Sequence, residues 1–200
     1  HFSEIDNIIA YDIAWEPGIG AYDNIRSKWN NQWTEWIKQQ YGSVDAALNA
    51  WDCGKVDKDS SGNIIVTDDM MNGNAPDKYN LLVAAYRRFI DDHVASVFAE
   101  KAEYIRDLDK NHLVSFRMSN AGSAVDARWS GYDFQSLASS LDFMAPEGYA
   151  LRANNESCLQ LVFAAAYARY AKPGAPVVLK EYGKHVWVGS NFTDNTLYHA

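Results

Sequence analysis

Ile8-Ile9-Ala10-Tyr11-Asp12-Ile13-Ala14-Trp15-Glu16-Pro17 and Pro176-Val177-Val178-Leu179-Lys180-Glu181-Tyr182-Gly183 decide the reading of this chain. Each is an apolar, β-branched run that closes on a glutamate. A short, continuous apolar run is how a strand buried on both faces of a parallel sheet reads. In an α/β barrel such strands release their C-terminal residues from the packed core into the mouth of the barrel. Glu16 and Glu181 therefore stand where paired carboxylates do acid/base work. A lone glutamate at a strand end is more simply a solvated loop residue. Two in matched contexts, separated by further strand and helix units, point to catalysis.

Working outward from these ends, helical and strand patterns alternate. Asn24 to Tyr41 and Ser43 to Trp51 read as helices, with Gly42 as the break and Ser43 as an N-cap. Trp29, Trp33 and Trp36 fall on one helical face, which makes them packing residues rather than sugar platforms. Residues 52–78 are polar and rich in Gly, Asp and Asn, and read as an insertion with a hairpin at Ser61-Gly62-Asn63. A long amphipathic helix is expected from Tyr79 to Leu108, burying Leu82, Tyr86, Phe89, His93, Val97, Tyr104 and Leu108. The His93 of that stripe is expected as a core histidine. Leu113 to Arg117 reads as the next strand, Asp133 to Ser140 as a short helix, and Leu141 to Ala145 as a third strand closed by Pro146. Leu159 to Tyr170 is an Ala-rich helix, and Val177 to Leu179 the fourth strand. Four strands with helical crossovers build either an open doubly wound sheet or a TIM barrel. No Gly-rich phosphate loop follows any strand, which favours the barrel.

The 200 residues are 48% hydrophobic, enough for a sizeable core in one domain or part of one. The net charge of -8 gives no basic footprint, so nucleic acid and anionic membrane surfaces are not expected partners. No stretch approaches the ~20 apolar residues that span a bilayer. A neutral or weakly charged substrate fits better. Cys53 and Cys158 are too few for a disulfide framework and lack metal spacing. The start at His1 suggests a processed or truncated product. Asp57, Asp59, Ser61 and Asp68 match several positions of a calcium loop, but the flanks lack clean helices and the same residues make ordinary turns, so no cofactor is expected. The sequons Asn155-Glu156-Ser157 and Asn191-Phe192-Thr193 matter only in a secreted protein of a glycosylating source.

Together these runs resemble the retaining glycoside hydrolases of the TIM-barrel clan, β-galactosidase-like and cellulase-like members among them. Ile8 to Pro17 resembles the fourth-strand acid/base segment, and Trp33 to Trp51 the helix that follows it. Ile105 to Val114 is similar to the entry into the fifth strand, Leu141 to Tyr149 to the sixth, and Pro176 to Gly183 to the seventh. The resemblance implies a (β/α)8 barrel of which this chain, residues 1–200, covers approximately strands four to seven. The remaining segments of the catalytic domain would then be its partners. It also implies a β-linked oligo- or polysaccharide as substrate, cleaved by double displacement; the location is left open by the sequence, with a secreted or periplasmic protein expected. Glu16 becomes the acid/base and Glu181 the nucleophile. Glu147 is a rival carboxylate or substrate acceptor, and Tyr149 a donor to the nucleophile. Trp15, Trp129 and Trp187 are candidate platforms for the apolar faces of sugars, and Arg117 and Asn120 candidate hydroxyl ligands. Trp15 replaces the asparagine that the family usually places before the acid/base. The competing expectations are a noncatalytic carbohydrate-binding barrel and a structural segment of a larger assembly.

Overall fold

A computed structural model describes residues 2–17, 23–118, 132–150, 155–180 and 182–184. Strand β1 (Ala10–Trp15) pairs in parallel with β2 (Leu113–Arg117), in the register Ala10↔Leu113 through Trp15↔Arg117 with an irregularity after Asp12. Beside β2 lies a third run, residues 142–147. The N–H of Asp142 donates to the carbonyl of Val114 at 2.9 Å, and that of Met118 to the carbonyl of Ala145 at 3.0 Å. Residues 176–180 form a fourth run, joined to the third by the parallel bridge Met144↔Val177 and by Lys180 N–H donating to the Pro146 carbonyl at 3.1 Å. The third and fourth runs continue as β3 (Gly148–Ala150) and β4 (Tyr182–Lys184), again parallel. Four parallel runs thus lie side by side in chain order, with helices in each crossover.

The strand bounds differ from expectation in instructive ways. β1 begins at Ala10, and Ile9 is 81% exposed. The third and fourth runs make an isolated bridge where full strands were expected. Pro146 and Pro176 have no N–H to give, and the carboxylate of Asp142 takes the N–H of Val114 at 2.7 Å in place of a carbonyl. A ladder thinned in this way still aligns the chain.

The helices are α1 (Asp23–Arg26), α2 (Asn30–Tyr41), α3 (Val44–Trp51), α4 (Asp68–Met71), α5 (Asn80–Leu108), α6 (Phe134–Leu137) and α7 (Asn155–Ala171). Gly42 ends α2 at φ 81°, a left-handed conformation that glycine adopts without Cβ strain, and the Ser43 hydroxyl accepts from Ala46 N–H at 3.1 Å to cap α3. Asp133 caps α6, which is shorter than the expected helix and ends at Leu137 in a turn.

On α5 the buried residues run Leu82, Tyr86, Ile90, Val94, Phe98, Ala102, a strict i+4 row flanked by Ala85 and Phe89. Tyr104 and Leu108, expected on the buried stripe, are 66% and 67% exposed. An i+4 row winds slowly around the helix, so a 29-residue helix that follows it changes partners along its length. Its first half packs on α2 and α3. Its second half turns to β2, where Phe98 stacks on Phe116 at 4.2 Å between ring centres.

Trp33 is fully buried at the centre of the first cluster. Its ring stacks on Trp51 at 5.8 Å and Trp36 at 5.4 Å, and meets Tyr86 edge-on at 5.1 Å. His93 lies partly buried against Phe89 and Trp29, and its burial lowers the imidazole pKa, as suits a neutral packing residue. Residues 52–78 are not merely a polar excursion: Cys53, Val56, Ile64, Val66, Met70 and Met71 join this core. The turn 57–65 closes through Asp59, whose carboxylate accepts from the N–H groups of Ser61 and Asn63 at 2.9 Å each and is held down to about 2 chiefly by the side chain of Asn63. Asn63 and Asp59 then dock on Asn30, Asn31 and Thr34 of α2.

Trp33→Ala removes the ring around which three helices pack and is expected to cost about 3–5 kcal/mol in chemical denaturation. Tyr104→Ala, at an exposed position, should stay within about 0.5 kcal/mol. Similar losses for the two would show that the cluster is not the core.

Candidate active site

β1 hands Glu16 to the strand ends through an unusual backbone. Glu16 has φ 37°, a left-handed conformation for a residue with a Cβ, and its N–H donates to the Arg117 carbonyl at 2.9 Å. Such a conformation costs on the order of 1–3 kcal/mol and turns the side chain out of the strand's alternation. Two donors face the carboxylate that results. The indole N–H of Trp15 lies 3.2 Å from Oε2, and Nη2 of Arg117 lies 3.8 Å from the same oxygen.

Arg117, at the end of β2, is 14% exposed, and its guanidinium lies 3.7 Å from the centre of the Trp15 ring. Its Nε stands 3.4 Å from Oε1 of Glu147, which closes the third run. Three neighbouring strand ends therefore contribute Glu16, Arg117 and Glu147 to one cluster, with Trp15 as its exposed cover at 72% exposure. Glu147 is only 3% exposed. Its pKa is pushed up to about 9, first by burial, then by a hydrogen bond to Glu16 and the charge of Glu16, with Arg117 opposing.

Asp12 escaped the sequence reading although it interrupts an apolar run, which was the available signal. One of its oxygens accepts from the backbone N–H of Arg117 at 3.0 Å and the other from the ammonium of Lys180 at 2.8 Å. It thereby ties β1 to β2 and to the fourth run just below the cluster.

Of the other expected site residues, Asn120, Trp129, Glu181 and Trp187 lie outside the described residues, as does the side chain of Tyr149, whose backbone is in β3. The residues on either side of Glu181 are placed: Lys180 donates to the Pro146 carbonyl, and Tyr182 pairs with Gly148, flanking Glu147 on the adjacent run. Of the four calcium-loop positions, Asp59 is engaged in its own turn and Asp68 with Arg26. Among the described residues no group of three His, Cys, Asp or Glu side chains is arranged to hold a metal ion. No described helix is long and apolar enough to cross a membrane.

Residues 1–191 match the family model of the glycoside hydrolase family 42 β-galactosidases. The chain belongs to this family. The crystal structure of the cold-adapted β-galactosidase from Rahnella sp. R3 is similar in fold, with a TM-score of 0.65 over 92% of the chain at 19% identity. The chain spans 26% of that protein's length. No curated protein matches it significantly. Membership in family 42 relates these four parallel runs to a TIM-barrel architecture, and it agrees with the resemblance seen in the sequence.

The Glu147 carboxyl has a checkable pH signature. The native protein keeps a proton there that the unfolded chain releases above about 4.5, so this group lowers stability as pH rises from about 4.5 to about 9. Glu147→Gln should flatten the fall in the unfolding midpoint across that window. An unchanged slope would mean that Glu147 is ionised at neutral pH.

Proposed function

We propose that this chain is the part of a retaining β-glycosidase that carries both catalytic carboxylates, spanning strands four to seven of a (β/α)8 barrel. Glu16 is the acid/base and Glu181 the nucleophile. The observation that carries the proposal is the convergence of Glu16, Arg117 and Glu147 on the ends of three adjacent parallel runs in a family 42 chain. The flanks of Glu181 continue the array beside the third run, which supports its role. The family's description favours a β-galactoside as substrate.

In the first step the carboxylate of Glu181 attacks the anomeric carbon, the glycosidic C–O bond breaks, and the leaving oxygen takes the proton of Glu16. In the second, water attacks the glycosyl ester, its proton passes to Glu16, and Glu181 is released as carboxylate. Retention of configuration requires the two carboxyls about 5–5.5 Å apart. Trp15 holds Glu16 through its indole N–H where the family usually has an asparagine, and its exposed ring is proposed as a sugar platform together with Trp129 and Trp187. Asn120 is proposed to bind hydroxyls, and Tyr149 to donate to Glu181. Arg117 is committed to the carboxyls and balances their charge. The remaining barrel segments are proposed to cover the exposed apolar side chains of Ile9, Leu113 and Val178.

In the full-length enzyme, Glu181→Ala should abolish turnover of aryl β-galactosides, with partial rescue by azide as the α-galactosyl azide forms. Glu16→Ala should lose about 10²–10⁴-fold on substrates whose leaving groups need a proton and far less on dinitrophenyl galactosides. Equal losses on both classes, with no azide rescue of either variant, would overturn the assignment.

A further inference from the structure

Glu147 does more in this geometry than line the site. It is nearly inaccessible at 3% exposure, it presents Oε1 to Arg117 Nε at 3.4 Å, and Glu16 presents Oε2 to Nη2 of the same guanidinium at 3.8 Å, so the two carboxyls flank one cation. Two carboxyl groups share a hydrogen bond only when one of them carries a proton. Glu16 is the more open of the two at 29% side-chain exposure, and it also faces the Trp15 N–H and the Arg117 cation. Burial favours the neutral form of Glu147. A neutral Glu147 can offer a carbonyl oxygen to Arg117 and an O–H to Glu16 at once.

We propose that Glu147 is a positioning residue for Glu16, whose neutral carboxyl donates a hydrogen bond that orients the acid/base and stabilises the carboxylate left after Glu16 has protonated the leaving oxygen. The proposal rests on Glu16 being the acid/base. It gives Glu147 no contact with the sugar and no step of its own. The other charged groups near it are Lys180 of the fourth run, whose ammonium is bound to Asp12, and Arg117; Glu181 lies outside the described residues. Among the described residues, Glu16 and Arg117 are the charges that act on the Glu147 carboxyl.

The two roles open to Glu147, donor and charge, are separable by substitution. Glutamine keeps the shape, with a carbonyl for Arg117 and N–H donors for Glu16, and cannot ionise. Leucine keeps the volume and donates nothing. In the full-length enzyme, kcat/KM for an aryl β-galactoside is measured against pH for both variants. Glu147→Gln should leave the alkaline limb, where Glu16 loses its proton, within about half a pH unit of the parent enzyme. Glu147→Leu should move that limb up by about one unit or more, because the Glu16 carboxylate loses a hydrogen bond that favoured it. The activity lost in Glu147→Leu should also be larger for alkyl than for dinitrophenyl galactosides.

Glu147→Met serves as the variant without a donor if Glu147→Leu does not fold. The proposal is overturned if the glutamine and donorless variants share one profile, or if glutamine alone displaces the limb. Glu16→Ala separates the two failures. If it loses its leaving-group dependence, the acid/base assignment itself is wrong. If it keeps that dependence while the Glu147 variants leave the profile unmoved, only the role of Glu147 falls.

Discussion

Parallel alignment is the constraint on which the site depends. Each helical crossover returns the chain to the same edge of the sheet, so the C-terminal ends of successive runs emerge side by side. That places Glu16, Arg117 and Glu147 together although some 130 residues separate the first from the last. The ladder need not be complete to achieve this. Prolines and a side-chain acceptor thin it in the third and fourth runs, yet one bridge and a few backbone bonds hold the alignment. Asp12 adds a cross-strand tie at the level where the strands give way to the site, binding both the Arg117 backbone and Lys180.

Once the ends are aligned, electrostatics apportions their roles. Two carboxyls and one guanidinium within reach of each other hold a net charge of about minus one if both carboxyls ionise, and the buried member pays the larger desolvation cost. Burial therefore raises the Glu147 carboxyl, while Glu16 lies nearer water beside the Trp15 N–H and the Arg117 guanidinium. The strained backbone of Glu16 fits the same division, since it directs that side chain out of the regular strand toward Trp15 and Arg117. Family 42 membership gives this arrangement its chemical context, and a buried carboxyl, Glu147, beside Arg117 and Glu16 is what the structure adds to it.

Much of the fold was legible in the sequence because it rests on local rules. Helix spacing, the Gly42 break, the Ser43 cap and the β2 run depend on residues close in the chain, and the tryptophan face of α2 follows from period alone. The strand-end glutamate at 16 was legible for the same reason. What only tertiary structure decided was partnership. The exposure of Tyr104 and Leu108 follows from α5 changing its packing partner midway, which no periodicity records. The short third and fourth runs follow from which carbonyls and side chains meet across strands. The meeting of Arg117 with Glu16 across about a hundred residues, its approach to Glu147 on the next run, and the burial that raises the Glu147 carboxyl all arise from the packing of separate strand ends. Charge and desolvation act through space, so a sequence names the carboxylates and only the fold decides which of them is charged.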